Sequence, residues 1–302
     1  MNDQTIAALL DSLSRTARLG TPRRDPIRVW RLSGVERLHL TDGRTAIFKY
    51  AGPPFTDEDR VLRLLAARGV PVPQVYASAH RHQHLGMIMQ DLGSATREAT
   101  EDDAVIAAAR LHALGPVDGL TTYDGATLTT SPTRSLDYLH QIEAGDLHVR
   151  SEGIADLLKE LEIVGPRRAA GAELEPFALC HSELHPTSLH ITTQGWHLLD
   201  LAKAFTGPGI LDLATWHGTR HTPNASRLRP LLVRYVESGG HPDALTDRAG
   251  LPAEVWALAW HRIWAAETLL QQTAIAVDTP SPAPTTIDAI RRQLTTALRL
   301  LS

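Results

Sequence analysis

Residues 177–214 constrain the fold more than any other part of the chain, because they must turn back on themselves twice. Phe177-Ala178-Leu179-Cys180 is a short apolar run of the kind that forms a buried strand. The polar segment His181-Ser182-Glu183-Leu184-His185-Pro186-Thr187-Ser188 breaks it, and Leu189-His190-Ile191 resumes the apolar character. Thr192-Thr193-Gln194-Gly195 reads as a hairpin turn, and Trp196-His197-Leu198-Leu199 as the returning strand, which stops at Asp200. A carboxylate (Glu183), an oxygen ligand five residues later (Ser188) and a second carboxylate at a strand end (Asp200) are thus folded back toward one another. Phosphoryl transfer calls for that combination: a group that orients an acceptor hydroxyl, and oxygen ligands that hold Mg²⁺ against nucleotide phosphates.

The stretch resembles the catalytic and metal-binding loops of the aminoglycoside phosphotransferase and choline kinase family, relatives of the protein kinases. That family reads His-Gly-Asp-x-His-x-x-Asn, then Ile-Asp-Phe, then Asp-Leu-Ala twelve residues past the second Asp. Here the residues are His181-Ser182-Glu183-Leu184-His185-Pro186-Thr187-Ser188, then Leu199-Asp200-Leu201, and Asp212-Leu213-Ala214 follows at the same spacing. Glu183 stands at the catalytic Asp and Ser188 at the Asn. The longer carboxylate is workable where the transition state is loose and the base mainly orients the hydroxyl. Ser188 still offers a hydroxyl oxygen to the metal, with Thr187 as a neighbouring alternative.

The resemblance implies an α+β, bilobal, protein-kinase-like fold. Residues 1–91 would form a small antiparallel β lobe that binds the nucleotide, and residues 92–302 a larger, mainly helical lobe for catalysis and acceptor binding. It implies transfer of the γ-phosphate of ATP or GTP, assisted by Mg²⁺, to a hydroxyl of a small-molecule antibiotic or metabolite. Glu183, Lys49 and Asp200 would be the catalytic residues, with Ser188 and Asp200 on the metal. Lys49, Glu58, Ser33, Gly34, Gln90 and Leu92 would bind the nucleotide, the backbone of Gln90 and Leu92 taking the base. The alternative is a non-catalytic, pseudokinase-like nucleotide binder with a regulatory role.

The residues themselves support several of these positions. Arg28–Leu40 and Thr45–Tyr50 read as strands joined at Asp42-Gly43, a strong turn signal. Gly34 interrupts the first strand and by default reads as a bulge. Lys49, ending Thr45-Ala46-Ile47-Phe48-Lys49, could be an edge-strand lysine. Asp57–Arg68 has helical spacing with Thr56 as a candidate N-cap, and Glu58 shares a face with Leu62 and Leu65, where it could meet Lys49. Ile6–Leu13, Glu101–Leu114, Leu136–Ile142, Ile154–Ile163, Leu213–Thr219, Arg227–Glu237 and Ala253–Gln272 read as helices. Residues 115–134, 165–175 and 274–285 read as loops. Trp256, Trp260 and Trp264 recur every four residues on one helical face, a core stripe or a stacking wall for an acceptor.

Composition narrows the class. With 302 residues, a formal charge of −4 and 43% hydrophobic residues, the chain can bury a large core, and it has no basic run for nucleic acid or anionic membrane. The lone cysteine, Cys180, lies in an apolar run and reads as a buried structural thiol. No signal segment and no membrane-length apolar run occur, so a cytoplasmic monomer or homodimer is expected. A zinc site from His181, His185 and His190 is the competing metal reading, opposed by Pro186 and by the strand–turn–strand pattern. Acids in 152–175 and Glu267 could face a cationic acceptor or simply be solvated.

Overall fold

The computed structural model describes residues 3–30, 32–144, 151–219, 223–275 and 284–302. Five antiparallel strands organise the first part of the chain: β1 (Arg23–Val29), β2 (Ser33–His39), β3 (Thr45–Ala51), β4 (Val75–Arg81) and β5 (His84–Gln90), in the spatial order β1-β2-β3-β5-β4. The expected strand from Arg28 is therefore two strands, and Trp30 N–H donates to Ser33 C=O at 2.7 Å. A seven-residue strand already begins at Arg23, where charge hides the pattern because β1 is an exposed edge.

Central β3 is buried from Ala46 onward. Ala46, Phe48 and Tyr50 share one core cluster with Ile6, Leu9, Leu10 and Leu13 of helix α1 (Asp3–Thr16). Side chains alternate along a strand, so Ile47 and Lys49 point to the opposite face. Helix α2 (Glu58–Ala67) buries Glu58, Val61, Leu62 and Leu65. Its N-cap is Asp57 rather than Thr56, and Asp57 makes no side-chain capping bond. A β carbon on Gly34 would lie 2.2 Å from the Tyr50 ring, so the glycine is required there by cross-strand packing.

Packing divides the chain into two units: Met1–Asp103 with Pro186–Ala204, and Ala104–His185 with Phe205–Ser302. This grouping differs from a linear division at residue 91, since the hairpin of Leu189–Thr192 and Gly195–Leu198 belongs to the sheet unit. There Leu198 N–H donates to Pro71 C=O at 2.9 Å.

The second unit is mainly helical, and the fold as a whole is α+β. Its helices are α3 (Glu101–His112, from Ala104 on), α4 (Gly125–Ala144), α5 (Ile154–Arg168), α6 (Ile210–Thr215), α7 (Ala225–Glu237), α8 (Ala253–Ile275) and α9 (Pro284–Leu301). α4 begins well before Leu136 and carries Pro132 inside it. Asp124 Oδ1 accepts from Thr127 N–H at 2.7 Å at its start, and packing against α5 and α8 offsets the ladder bond that proline cannot make. α5 likewise runs on through Pro166 to Arg168. The Arg168 carbonyl at its end accepts from Trp256 Nε1 at 2.7 Å and Trp260 Nε1 at 3.1 Å. Both indoles are fully buried and belong to the core, whereas Trp264 is half-buried and stacks on His261. Most of the proline-rich stretch 274–285 lies outside the described residues. Among the described residues, no helix is long and apolar enough to cross a membrane.

Candidate active site

Within the sheet unit, Lys49 is the hinge of a buried ionic cluster. Its Nζ lies 2.8 Å from Glu58 Oε1, 2.6 Å from Glu58 Oε2 and 2.8 Å from Asp200 Oδ1. Strand alternation turns Lys49 away from α1, and the i, i+4, i+7 stripe of α2 turns Glu58 inward with Leu62 and Leu65. Leu201 N–H adds a further hydrogen bond to Glu58 Oε1 at 3.2 Å. Asp200 adopts the left-handed conformation (φ 64°), which Asp tolerates better than most residues.

Electrostatics follow from this geometry. Burial pulls the Lys49 pKa down, but Glu58 and Asp200 outweigh burial and shift it upward. Glu58 moves up, because burial and the neighbouring Asp200 oppose the charge that Lys49 favours. Burial disfavours the Asp200 carboxylate too, yet Lys49 and Arg28 override it and hold the group well below the usual carboxylate range. Asp200 is therefore ionised at any working pH, as a metal ligand must be.

A cleft of about 200 Å³ opens over this cluster. Val35, Met89, Pro73 and Leu199 give it apolar walls, and Arg28, Lys49, Thr187 and Asp200 supply polar groups. Thr187 faces the cleft, while Ser188 is buried and its carbonyl accepts from Leu199 N–H at 2.9 Å. Arg28 Nη2 donates to Asp200 Oδ2 at 3.1 Å, a pairing with no sequence signal beyond an arginine in a charged strand. Gln90 closes β5, its N–H donated to Gln74 C=O at 2.8 Å; Asp91, beside it, pairs with Arg37 at 2.7 Å, and Leu92 follows. Ser33 and Gly34 sit in β2 opposite Ala51 and Tyr50.

In the helical unit, the strand Phe177–Cys180 pairs with Phe205–Pro208 and delivers the loop that begins at His181. Asp212 anchors that loop. Its Oδ2 accepts from His181 N–H at 2.6 Å and its Oδ1 from Ser182 N–H at 2.8 Å. Asp212 is the third residue of α6, not a residue preceding a helix. Buried His112 bridges Asp212 (3.3 Å) and the Tyr235 hydroxyl (3.1 Å), so it is a packed structural histidine. Ser182 sits at φ 79°, a value suited to glycine, and the half-buried Glu183 follows, its N–H donated to His181 Nδ1 at 3.3 Å. Among the described residues, the grouping of side chains able to share a metal is His112, Cys180 and Asp212, not His181, His185 and His190. Since Asp212 already receives two backbone N–H groups and burial drives the Cys180 thiol well above its ordinary pKa, that grouping is structural. Glu267 is also committed, to Arg134 at 2.7 Å and to Ser131.

Residues 28–251 match the model of the phosphotransferase enzyme family. The chain belongs to that family. No curated protein matches the chain significantly in sequence. Solved structures of similar fold include the choline kinase LicA from Streptococcus pneumoniae, with 13% identity, a TM-score of 0.67, and coverage of 98% of this chain and 99% of that one. A choline/ethanolamine kinase family protein from Mesorhizobium loti has 17% identity and a TM-score of 0.64, covering 99% and 98%. The macrolide 2'-phosphotransferase MphH from Brachybacterium faecium has 16% identity and a TM-score of 0.54, covering 95% and 98%. At such identities these likenesses establish the phosphotransferase fold and leave the acceptor open.

Proposed function

We propose that the chain is a nucleoside-triphosphate-dependent small-molecule kinase. It would transfer the γ-phosphate of ATP or GTP to an acceptor hydroxyl. The observation that carries this reading is Lys49 held between Glu58 and Asp200 on the wall of an apolar-sided cleft. In that position Lys49 binds nucleotide phosphates, and Glu58 fixes its reach. Val35, Met89 and Leu199 offer flat apolar contact for the base, with backbone groups of Gln90 and Leu92 as its hydrogen-bond partners. Glu183 orients the acceptor hydroxyl, in a loop that Asp212 ties down through two backbone N–H groups.

The donor set also suits Mg²⁺, a hard cation that prefers carboxylate and hydroxyl oxygens. Asp200 supplies the carboxylate, and the hydroxyl comes from Ser188 or, facing the cleft, Thr187. When bound, the metal would neutralise charge on the phosphate oxygens. Among the acids that could attract a cationic acceptor, Glu267 is already neutralised by Arg134, so a neutral metabolite or antibiotic is as good a candidate acceptor as a polycation.

Glu183 and Ser188 depart from the usual loop residues, and this favours a second reading as a non-catalytic nucleotide binder. Both readings require the nucleotide. Ligand at a hundredfold excess over its dissociation constant should stabilise the protein by about 2.7 kcal/mol, seen as a raised Tm. Asp200→Ala should abolish the part of the rise that depends on Mg²⁺. No rise with any purine nucleotide would refute both readings.

A further inference from the structure

We propose that Arg28 is a second phosphate-binding cation of this site, held on Asp200 until a nucleotide arrives and then transferred to its phosphates. The inference rests on the nucleotide-binding reading above. Three observations carry it.

The first is how the backbone aims the residue. In the β1–β2 ladder Pro26 pairs with Glu36 and Arg28 with Val35, which leaves Ile27 as an extra, bulged residue. Neighbours on a regular strand face opposite sides, yet Ile27 and Arg28 both line the cleft. The bulge makes this possible, and bulges recur where a side chain must be re-aimed at a site. Without it, Arg28 would point away from Lys49.

The second is the asymmetry of the two cations on Asp200. Lys49 is buried and also gripped by Glu58, so it is fixed. Arg28 is 44% exposed, lies 3.1 Å from Asp200 Oδ2, and rests its guanidinium 4.3 Å from the centre of the exposed Trp30 ring. A guanidinium at a cleft mouth, stacked on a ring and bonded through one nitrogen, retains donors for a bidentate phosphate contact.

The third is charge balance. Lys49 and Arg28 cancel Glu58 and Asp200, so the cluster is neutral and stable without a ligand. An incoming polyphosphate gives Arg28 a more highly charged partner. Its departure uncovers Oδ2, the oxygen that a metal ligand must present. Every ion pair that breaks in this exchange is replaced by a new one.

The test is titration calorimetry on the full chain, comparing wild type, Arg28→Met and Arg28→Lys. The titrants are adenosine, guanosine, ATP, GTP and inorganic tripolyphosphate, each with and without Mg²⁺. Arg28→Met should bind the preferred triphosphate, and tripolyphosphate, about tenfold to a hundredfold more weakly, the range for removing a charge-assisted hydrogen bond. The matching nucleoside should bind as it does to wild type. Arg28→Lys, which keeps the charge but not the fork, should fall between the two, and it carries the same comparison should Arg28→Met not fold. Equal weakening for nucleoside and triphosphate, or no weakening for either, would overturn the role of Arg28 and leave the nucleotide reading standing. A wild-type protein that binds neither triphosphate would overturn both.

Discussion

Removing Lys49 should create a fault that a second mutation repairs. Lys49→Met leaves Glu58 fully buried without its cation, while Asp200 keeps Arg28. A stranded carboxylate can escape by taking up a proton, which caps the cost. From an ordinary value of 4.5, protonating Glu58 at pH 7 costs about 3.4 kcal/mol, at 1.36 kcal/mol for each pH unit between the two. Glu58→Gln in the wild type removes half of the negative charge around Lys49 and should destabilise by roughly 1–3 kcal/mol. In the Lys49→Met background the same change removes the stranded charge and should restore up to about 3 kcal/mol, or roughly 6–12 °C in Tm. The sign of one mutation therefore reverses with its neighbour. The repair should also depend on pH. In Lys49→Met the folded chain binds a proton that the unfolded chain has released, so stability falls as pH rises from 4.5 to 7. Calorimetric melts of the four proteins at about pH 5 and pH 7 measure this. A double mutant no more stable than Lys49→Met at neutral pH, or a repair equally large at the acidic pH, would refute the reasoning.

Two further expectations concern the helical unit. Ser182 holds a left-handed conformation, and its buried hydroxyl has no hydrogen-bond partner among the described residues, so Ser182→Gly should raise Tm by a few degrees and Ser182→Val should lower it; a fall with Gly would contradict this. Burial, helped by Arg262, pushes His261 down to about 3, so the unfolded chain binds a proton below about pH 6.5 that the folded one does not. Stability should decline as pH falls from 6.5, and His261→Gln should flatten that decline; superimposable pH profiles would contradict it.

Legibility in the sequence followed the reach of local rules. The spacing from His181 through Asp200 to Asp212 is set within one contiguous stretch, and the strand–turn–hairpin reading needed only period and turn chemistry. Lys49 and Glu58 could be brought together because strand alternation and helix periodicity each fix a direction. Three features depended on information beyond a window. Arg28 reaches the cleft through a bulge that exists only once β1 is paired with β2. Asp212 acts through backbone N–H groups about thirty residues away, which no side-chain pattern encodes. α4 passes through Pro132 because neighbouring helices hold it, whereas composition alone marks 115–134 as loop. Gly34 shows the converse: in sequence it reads by default as a bulge, whereas in the structure it pairs in regular register with Tyr50, whose ring leaves no room for a side chain.

The central claim is phosphoryl transfer with Glu183 orienting the acceptor, and transfer of labelled γ-phosphate tests it most directly. Wild type and Glu183→Gln would be incubated with ATP or GTP, Mg²⁺ and a panel of hydroxyl-bearing antibiotics and metabolites. Nucleotide binding would be measured alongside. The account predicts a labelled product from wild type and a rate roughly 10²–10⁴-fold lower for Glu183→Gln, the range for removing a general base, with nucleotide bound equally well by both. Equal rates for the two proteins would contradict it.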